Sequence, residues 1–252
     1  SGATYTVIPT GTNWSLDLAT ATPSTGSLTP LADGNSYEVI ATVTDSAGNA
    51  TSDGSSNELK IDTTPPTVPT VNSQTTNDLT PTVTGTATLG AGESLTVVVN
   101  GATYNNVPVV GGNWSLNLDT ATPASGSLGT FVDGVSYEVV ATATDAAGNA
   151  ASDGSSNEIT IDASAPSAPS VDLLVTNSTT PILTGTAAVG AGETLTVTVS
   201  GATYTVTPDG SGNWSVDLDT ATPSSGSLTP LAEGSYSVVA TIDDGAGNLT
   251  SD

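Results

Sequence analysis

The sequence predicts an all-β fold of tandem antiparallel β-sandwich domains in a linear array. The first observation is a repeat, because Trp14, Trp114 and Trp214 lie 100 residues apart, each in an Asn-Trp-Ser triplet. Self-similarity at one fixed period is typical of a single structural unit that is used repeatedly, and this period has the size of an ordinary domain. The second observation is strict alternation of apolar and polar residues in short runs, which predicts strands and not helices.

The strands of the middle copy can be assigned in chain order. Alternation places every second side chain of a strand on one face, so the apolar set of each run should share a buried face. Turn sequences rich in glycine and asparagine separate the runs. About seven short strands in about 100 residues is typical of an antiparallel sandwich. The predicted strands are Thr80–Ala87, the run with Leu95, Val97 and Val99, the run with Trp114, Leu116 and Leu118, the run with Tyr137, Val139, Ala141 and Ala143, and Glu158–Ile161.

A tyrosine near the start of one strand makes the prediction more specific. Tyr137 follows Gly134 by three residues and opens a long strand, and Tyr37 and Tyr236 are its counterparts. This arrangement resembles the tyrosine corner of Ig-like sandwiches, in which the hydroxyl group bonds to backbone a few residues upstream. The other interpretation is an aromatic side chain that only fills the core.

Two proline-rich linkers divide the chain. They run from Asp62 to Pro69 and from Asp162 to Pro169, and their prolines favour an extended, semi-rigid backbone. We therefore predict a partial Ig-like repeat at 1–63 without its first strands, a complete repeat at 64–163, and a repeat at 164–252 without its last strand. We interpret the chain as a segment of a longer array; strand exchange between partial domains of different molecules is the alternative.

The charge of the chain excludes several classes of function. There are 25 acidic residues against one basic residue, Lys60, and no histidine, arginine, cysteine or methionine. Nucleic acids need cationic side chains for binding, and anionic membranes would repel this surface, so we expect neither nucleic-acid binding nor membrane insertion. The usual acid–base and nucleophilic side chains are also missing, so we expect no enzyme activity and no catalytic residue. Solubility alone is a second explanation of the acidic excess.

The order of several short motifs points to a family. The run Asn-Asp-Leu-Thr-Pro-Thr-Val-Thr-Gly-Thr-Ala at Asn77–Ala87 recurs in altered form at Asn177–Ala187, and both copies continue with Gly-Ala-Gly-Glu and Asn-Trp-Ser. This set resembles the Ig-like repeats of bacterial biofilm-associated surface proteins and giant type I-secreted (RTX-type) adhesins. The resemblance implies extender modules on the bacterial cell surface or in the biofilm matrix. The implied partners are neighbouring repeats of the chain and, in a fibre, other copies of it.

The resemblance also implies structural calcium near the domain junctions. The residues permit this chemistry, because Asp145 opens an Asp-x-x-Gly-Asn loop, Asp162 precedes the linker, and carboxylate and amide oxygens are ligands that calcium accepts. A turn in which Asp145 caps its own loop is the structural alternative. Glu93 and Glu193 could contribute further oxygens or be solvated turn residues. The candidate calcium ligands are Asp45, Asn49, Asp62, Asp145, Asn149, Asp162, Asp244 and Asn248.

The sequence thus favours a structural spacer of a surface adhesin or extracellular fibre. A carbohydrate- or ice-binding module is the second hypothesis, for which exposed aromatic residues or a flat threonine ladder would be the sign. An enzyme or its accessory domain is the third, but no pair of carboxylates is placed across a predicted cleft.

Overall fold

The computed structural model describes residues 2–252, and this part of the chain is built from strands without any helix. Its contacts divide it into two compact units. Unit 1 comprises residues up to Thr67 with Leu89–Glu93 and Ala143–Ala151, and unit 2 comprises Val68–Thr88, Ser94–Thr142 and Ser152–Asp252. The predicted division at residues 63 and 163 stays a prediction.

The strands are short, and the longer ones in the middle and third copies follow the predicted alternation. Those up to the second linker are β1 Ser36–Tyr37, β2 Thr42–Thr44, β3 Ala50–Ser52, β4 Leu59–Lys60, β5 Thr70–Val71, β6 Gln74–Thr76, β7 Thr82–Thr86, β8 Ser94–Val99, β9 Ala102–Tyr104, β10 Val109–Val110, β11 Asn113–Asn117, β12 Ser125–Gly126, β13 Ser136–Tyr137, β14 Val139–Thr144, β15 Ala150–Ser152 and β16 Ile159–Ile161. The third copy contains β17 Ser170–Val171, β18 Ile182–Thr186, β19 Thr194–Val199, β20 Ala202–Val206, β21 Asn213–Asp217, β22 Ser225–Gly226, β23 Val238–Asp243 and β24 Leu249–Ser251.

The third copy is a two-layer sandwich. Its sheets have the strand orders β17-β18-β21 and β22-β20-β19-β23-β24, and all pairings within them are antiparallel. Trp214 and Val216 of the first sheet pack in one cluster with Leu195, Val197 and Ile242 of the second. The fold class predicted from the sequence, all-β with Ig-like antiparallel sandwiches, is confirmed.

The middle copy repeats these sheets and adds a third one. The strand orders are β10-β11-β7-β5, β12-β9-β8-β14-β15 and β13-β16-β6, and within the last sheet β16 runs antiparallel to β13 and parallel to β6. Tyr137 is only half-buried and lies in β13 of the third sheet, so it does not open the long strand β14 as predicted. The other members of the predicted buried sets are confirmed, because at most 8% of the surface of each of these side chains is exposed. They are Leu95, Val97, Val99, Trp114, Leu116, Leu118, Val139, Ala141 and Ala143.

In the middle and third copies, a tryptophan side chain is hydrogen-bonded to the backbone of the edge strand of its sheet. The indole N–H of Trp114 donates to the backbone carbonyl of Thr70 in β5 at 3.1 Å, and the ring lies over Gly85 of β7. A Cβ atom at Gly85 would overlap both that carbonyl oxygen and the ring. Trp214, Ser170 and Gly185 repeat the contact in the third copy, again at 3.1 Å.

The tyrosine corner is also confirmed. The hydroxyl oxygen of Tyr137 accepts from the backbone N–H of Val132 at 2.8 Å, and Tyr37 accepts from Ala32 at 2.7 Å. Tyr236 accepts from Ala232 at 2.9 Å.

The first copy is less well packed than its sequence similarity suggests. Trp14 exposes 49% of its surface, whereas Trp114 exposes 2%. Among residues 2–252, Trp14 has neither the carbonyl partner nor the glycine contact of Trp114.

Replacement of the buried tryptophan should unfold the middle copy selectively. Trp114→Ala removes an indole with 2% exposure and its bond to Thr70, which we expect to lower the free energy of unfolding by about 3–5 kcal/mol. The matched control is Trp14→Ala, which should lower it by less than about 1 kcal/mol. Denaturant unfolding followed by circular dichroism measures both changes. Equal losses in the two variants would contradict the proposed difference in packing.

Candidate functional site

The Asp-x-x-Gly-Asn loops have a closed hydrogen-bonded geometry. Asp145 Oδ1 accepts the backbone N–H of Ala147 and Asn149, each at 2.9 Å, and Asp145 Oδ2 accepts the Asn149 side-chain amide at 2.9 Å. The backbone of Asp145 in turn donates to the Asn149 carbonyl at 3.0 Å. Gly148 has a φ of 93°, a left-handed value that a residue with a side chain rarely adopts. The loop is therefore an Asx-type turn that holds the Asn149 side chain in one orientation.

The other predicted loops have the same geometry. Asp45 accepts from the backbone and side chain of Asn49 at 2.8 Å each. Asp244 accepts from the backbone of Asn248 at 3.1 Å and from its side-chain amide at 2.6 Å.

Sequence reasoning missed one further loop of this type. Asp209-Gly-Ser-Gly-Asn213 has the same spacing, and Asp209 Oδ1 accepts the backbone N–H of Ser211 and Asn213 at 2.8 and 2.9 Å. The Asp-x-x-Gly-Asn pattern could have identified this loop. The pattern does not recur in the middle copy, because Val109 stands at the position equivalent to Asp209.

Two of the loops reach a linker aspartate 86 or 87 residues away in the chain. The side-chain amide of Asn149 donates to the backbone carbonyl of Asp62 at 2.9 Å. The amide of Asn248 donates to the carbonyl of Asp162 at 2.8 Å. We call each such pair, linker aspartate plus loop asparagine, a joint. Asn149 and Asn248 are half-buried at these joints.

Each joint contains a loop asparagine and the linker aspartate before its copy, not the linker aspartate that follows the loop in the sequence. The loop of one copy meets the linker aspartate that precedes this copy, so Asp145 and Asn149 belong with Asp62, and Asp244 and Asn248 belong with Asp162. Asp45 and Asn49 are exposed, and the hydrogen bonds of their side chains within residues 2–252 stay inside their own loop.

The second joint has an additional contact from the middle copy. The backbone N–H of Asn77 donates to the Ala246 carbonyl at 2.9 Å, and its side-chain amide donates to Asn248 Oδ1 at 3.1 Å. Gly247, with a φ of 107°, lies so close that a Cβ atom would be 2.9 Å from Asn77 Oδ1. Asn77 comes directly after β6, so the end of one sandwich contacts the loop of the next.

The linker that follows each joint aspartate is held along its length. Asp133 Oδ1 accepts the backbone N–H of Ala163, and its Oδ2 accepts the hydroxyl of Ser164 at 2.7 Å. Pro166 and Pro169 are buried, and Trp214 binds the carbonyl of Ser170. Asp33, Thr63 and Thr64 repeat the first of these arrangements. The recurrence of this aspartate at Asp33 and Asp133 is the signal in the sequence from which its role could have been found.

Hydrogen bonding, not charge pairing, determines the ionisation of the loop aspartates. The bond from the Asn149 side chain holds the pKa of Asp145 below its ordinary value, and the bond from the Asn248 side chain does the same for Asp244. The backbone N–H of Ala163 lowers the pKa of Asp133. These carboxylates are therefore ionised acceptors at neutral pH.

The arrangement of oxygens does not fit a calcium ion as it stands. Asp145 directs its oxygens at N–H donors, and Asn149 presents its amide nitrogen, not its oxygen, to the Asp62 carbonyl. Lys60 Nζ lies 3.8 Å from Asp62 Oδ2. Residues 2–252 contain no group of three or more acidic side chains close enough to hold a metal. Glu93 and Glu193 accept the N–H of Gly90 and Gly190 and so close their own turns. Calcium at the eight candidate residues stays a prediction.

The third copy is similar to a known family of domains. Residues 167–252 match the family model of the bacterial Ig-like domain. Among solved structures, a 1.5-MDa bacterial ice-binding adhesin, described for its host cell surface retention, is 26% identical over 83% of this chain and 69% of that chain, with a TM-score of 0.36. The FN1–FN3 domains of chicken CNTN1 are 13% identical over 84% of this chain and 75% of that chain, with a TM-score of 0.41. No curated protein matches the chain. The part of the chain that the structure describes has no helix long and apolar enough to cross a bilayer.

Acid should loosen the loops through their aspartates. Because the folded-state pKa of Asp145 is lowered from 3.8, its contribution to stability is present above that value and is lost as the pH falls through the lower folded value. We expect the melting temperature to fall steeply below about pH 4, and to fall less steeply in Asp145→Asn, which has no carboxyl group to protonate there. Calorimetry between pH 7 and 2 measures both slopes. Identical slopes in the variant and the parent would show that Asp145 does not contribute.

Proposed function

We propose that this chain is a non-catalytic spacer segment of a bacterial cell-surface adhesin or extracellular fibre. Its Ig-like copies would set the distance between an anchored end and a distal binding domain. The observation that carries this proposal is the recurrence of one hydrogen bond, Asn149 to Asp62 and Asn248 to Asp162, at successive linkers.

A spacer needs a reproducible connection between successive domains. At each joint a hydrogen bond from a loop asparagine to a linker carbonyl makes this connection. The linker carbonyl is an obligatory acceptor whose burial without a partner would cost free energy, and the asparagine amide satisfies it. The asparagine is itself held by its aspartate, so it loses little rotamer freedom when the joint forms. The same geometry would then recur at every copy.

The surface properties support an extracellular spacer. A formal charge of -24 keeps copies of a long β-array apart in solution. The chain has no cysteine, so no disulfide connects the copies, and packing and the joints contribute to holding the array. The match of the third copy to the bacterial Ig-like domain supports a bacterial origin, and we propose the cell surface or biofilm matrix as the location. The partners are then neighbouring copies in the array.

The structure offers less support for a carbohydrate- or ice-binding module. A shallow depression of about 890 Å³ in the third copy is lined by residues between Ala168 and Gly212, and none of the lining residues is aromatic. Tyr104, Tyr204, Trp114 and Trp214 are buried, so they offer no ring for stacking on a sugar. Trp14 and Tyr236 expose 49% and 42% of their surface, but neither lines this depression.

The joint should loosen when its asparagine is removed. Asn149→Ala deletes the donor to Asp62, and a hydrogen bond of about 0.5–1.5 kcal/mol corresponds to a roughly 2- to 13-fold shift in the ratio of closed to open joint. The chain has no cysteine, so spin labels at Ser27→Cys and Ser127→Cys would be unique. We expect electron–electron resonance to show a broader distance distribution in the variant.

The fourth loop provides a matched control. Asn213→Ala removes an asparagine that bonds only to its own loop aspartate, Asp209, among the side-chain contacts of residues 2–252. It should leave the distance distribution unchanged. A broader distance distribution in both variants, or in neither, would contradict the proposal that Asn149 fixes the joint.

Calcium at the joints can be separated from the hydrogen bond by experiment. A site with a dissociation constant near 0.1 mM would stabilise the folded state by about 2.7 kcal/mol at roughly 10 mM calcium. If the amide of Asn149 alone holds the Asp62 carbonyl, chelator leaves the melting temperature and the label distances unchanged. A rise in melting temperature with calcium that magnesium does not reproduce, and that Asp62→Asn abolishes, would instead establish the predicted site.

A further inference from the structure

The third sheet of the middle copy pairs a strand near the start of this copy with its last strand. These strands, β6 and β16, run parallel over three paired positions. The backbone N–H of Gln74 donates to the Glu158 carbonyl at 2.7 Å, and that of Asp162 donates to the Thr76 carbonyl at 2.9 Å. Most of the middle copy lies between the two strands in the sequence, so their pairing closes this copy.

The last strand is bound more firmly to the rest of the middle copy than β6 is. β16 has a second neighbour, the antiparallel strand β13, whereas β6 has β16 as its only strand partner within residues 2–252. Ile159 and Ile161 of β16 are fully buried. The side chain of Glu158 is also fully buried, and its carboxylate accepts the backbone N–H of Val139 at 2.9 Å. When the two strands are pulled apart, the bonds between β6 and β16 are therefore the ones that have to break.

Tension along the chain loads this pair of strands in shear. A chain stretched on both sides of the middle copy is pulled at the beginning of β6 and at the end of β16. Because the two strands run in the same direction, these forces slide one strand along the other, and all hydrogen bonds between them carry the load together. Bonds that are loaded together have to break together, whereas bonds loaded from one end break one after another. Shear therefore has the higher barrier to forced unfolding.

The segment before β6 transmits the load to it. Its strand β5 pairs with β7 over two residues, and the indole of Trp114 binds the Thr70 carbonyl. Release of β5 would free only the few residues that precede Gln74. The tension would then act on β6 directly.

We infer that the β6–β16 pair is the load-bearing element of the middle copy and keeps this copy folded while the chain is under tension. The inference rests on the proposed spacer function, since an array that holds a binding domain away from an anchored end is stretched when that domain is pulled. The direction in which the pair is loaded follows from the strand order and the parallel pairing alone.

Two pulling directions on the full chain test the inference. The sequence has no cysteine, so cysteines introduced at exposed positions are unique attachment points for optical tweezers. Thr67→Cys with Ser167→Cys pulls β6 and β16 from opposite ends, whereas Thr67→Cys with Ser156→Cys pulls both strands from the same end. At equal force we expect unfolding to be at least about tenfold faster in the second direction, because the bonds then open one at a time. The event is identified by the roughly 80 residues between the strands, which extend to about 26–29 nm.

A pair of proline variants tests the contact at single residues. Gln74→Pro removes the donor to the Glu158 carbonyl, and with attachment at residues 67 and 167 it should make unfolding at least about tenfold faster. The matched control is Thr75→Pro in the same strand. Successive N–H groups of a strand point to opposite sides, so that of Thr75 points away from β16, where an edge strand tolerates proline. It should leave the unfolding rate within about twofold of the parent.

Equal unfolding rates in the two pulling directions would overturn the inference, and so would equal effects of the two proline variants. Tryptophan fluorescence shows beforehand whether Gln74→Pro is folded. If it is not, the two pulling directions decide, because they leave β6 and β16 unchanged. The spin-label distances at the first joint test the spacer proposal separately, so failure of the load-bearing pair and failure of the spacer function are distinguishable.

Discussion

The contact of a tryptophan with a backbone carbonyl across a glycine is the constraint on which each sandwich depends. In the third copy, the Trp214 indole binds the carbonyl of Ser170 and lies over Gly185, so three strands are fixed by one side chain. Only glycine leaves room for this approach, which explains the Thr-Gly-Thr triplet in both complete versions of the motif. Trp14, which makes no such contact among residues 2–252, exposes 49% of its surface.

This contact also fixes the end of the linker, and the joint fixes its beginning. The carbonyl of Ser170 is held by Trp214, and the carbonyl of Asp162 is held by Asn248. Between them Pro166 and Pro169 are buried and restrict φ. The eight residues from Asp162 to Pro169 are thus restrained at both ends and in the middle. Two neutral hydrogen bonds and proline stiffness are insensitive to salt, which suits a surface that carries a large negative charge.

The four Asp-x-x-Gly-Asn loops show which hydrogen bonds depend on the loop sequence and which depend on a neighbouring linker. All four close on themselves through the same aspartate–asparagine bonds, including Asp209–Asn213, which reaches no linker. The turn is therefore a property of five consecutive residues. Two of the loops form a further bond to a linker carbonyl. Asn149 bonds to the carbonyl of Asp62, and Asn248 bonds to that of Asp162.

The sequence by itself determined the sandwich, its buried faces and the tyrosine corner, because alternation and turn chemistry are local and recur at a fixed period. Leu95, Val97 and Trp114 were identifiable as core residues for that reason. It also identified the residues of the joints. Only the tertiary structure decided their pairing, since the bond of Asn149 to Asp62 spans 87 residues and depends on how one copy packs on the end of another. The same is true of the direction of the Asn149 amide, which presents nitrogen to the carbonyl. That orientation depends on which donors and acceptors folding brings together, and the periodicity of the sequence does not predict this.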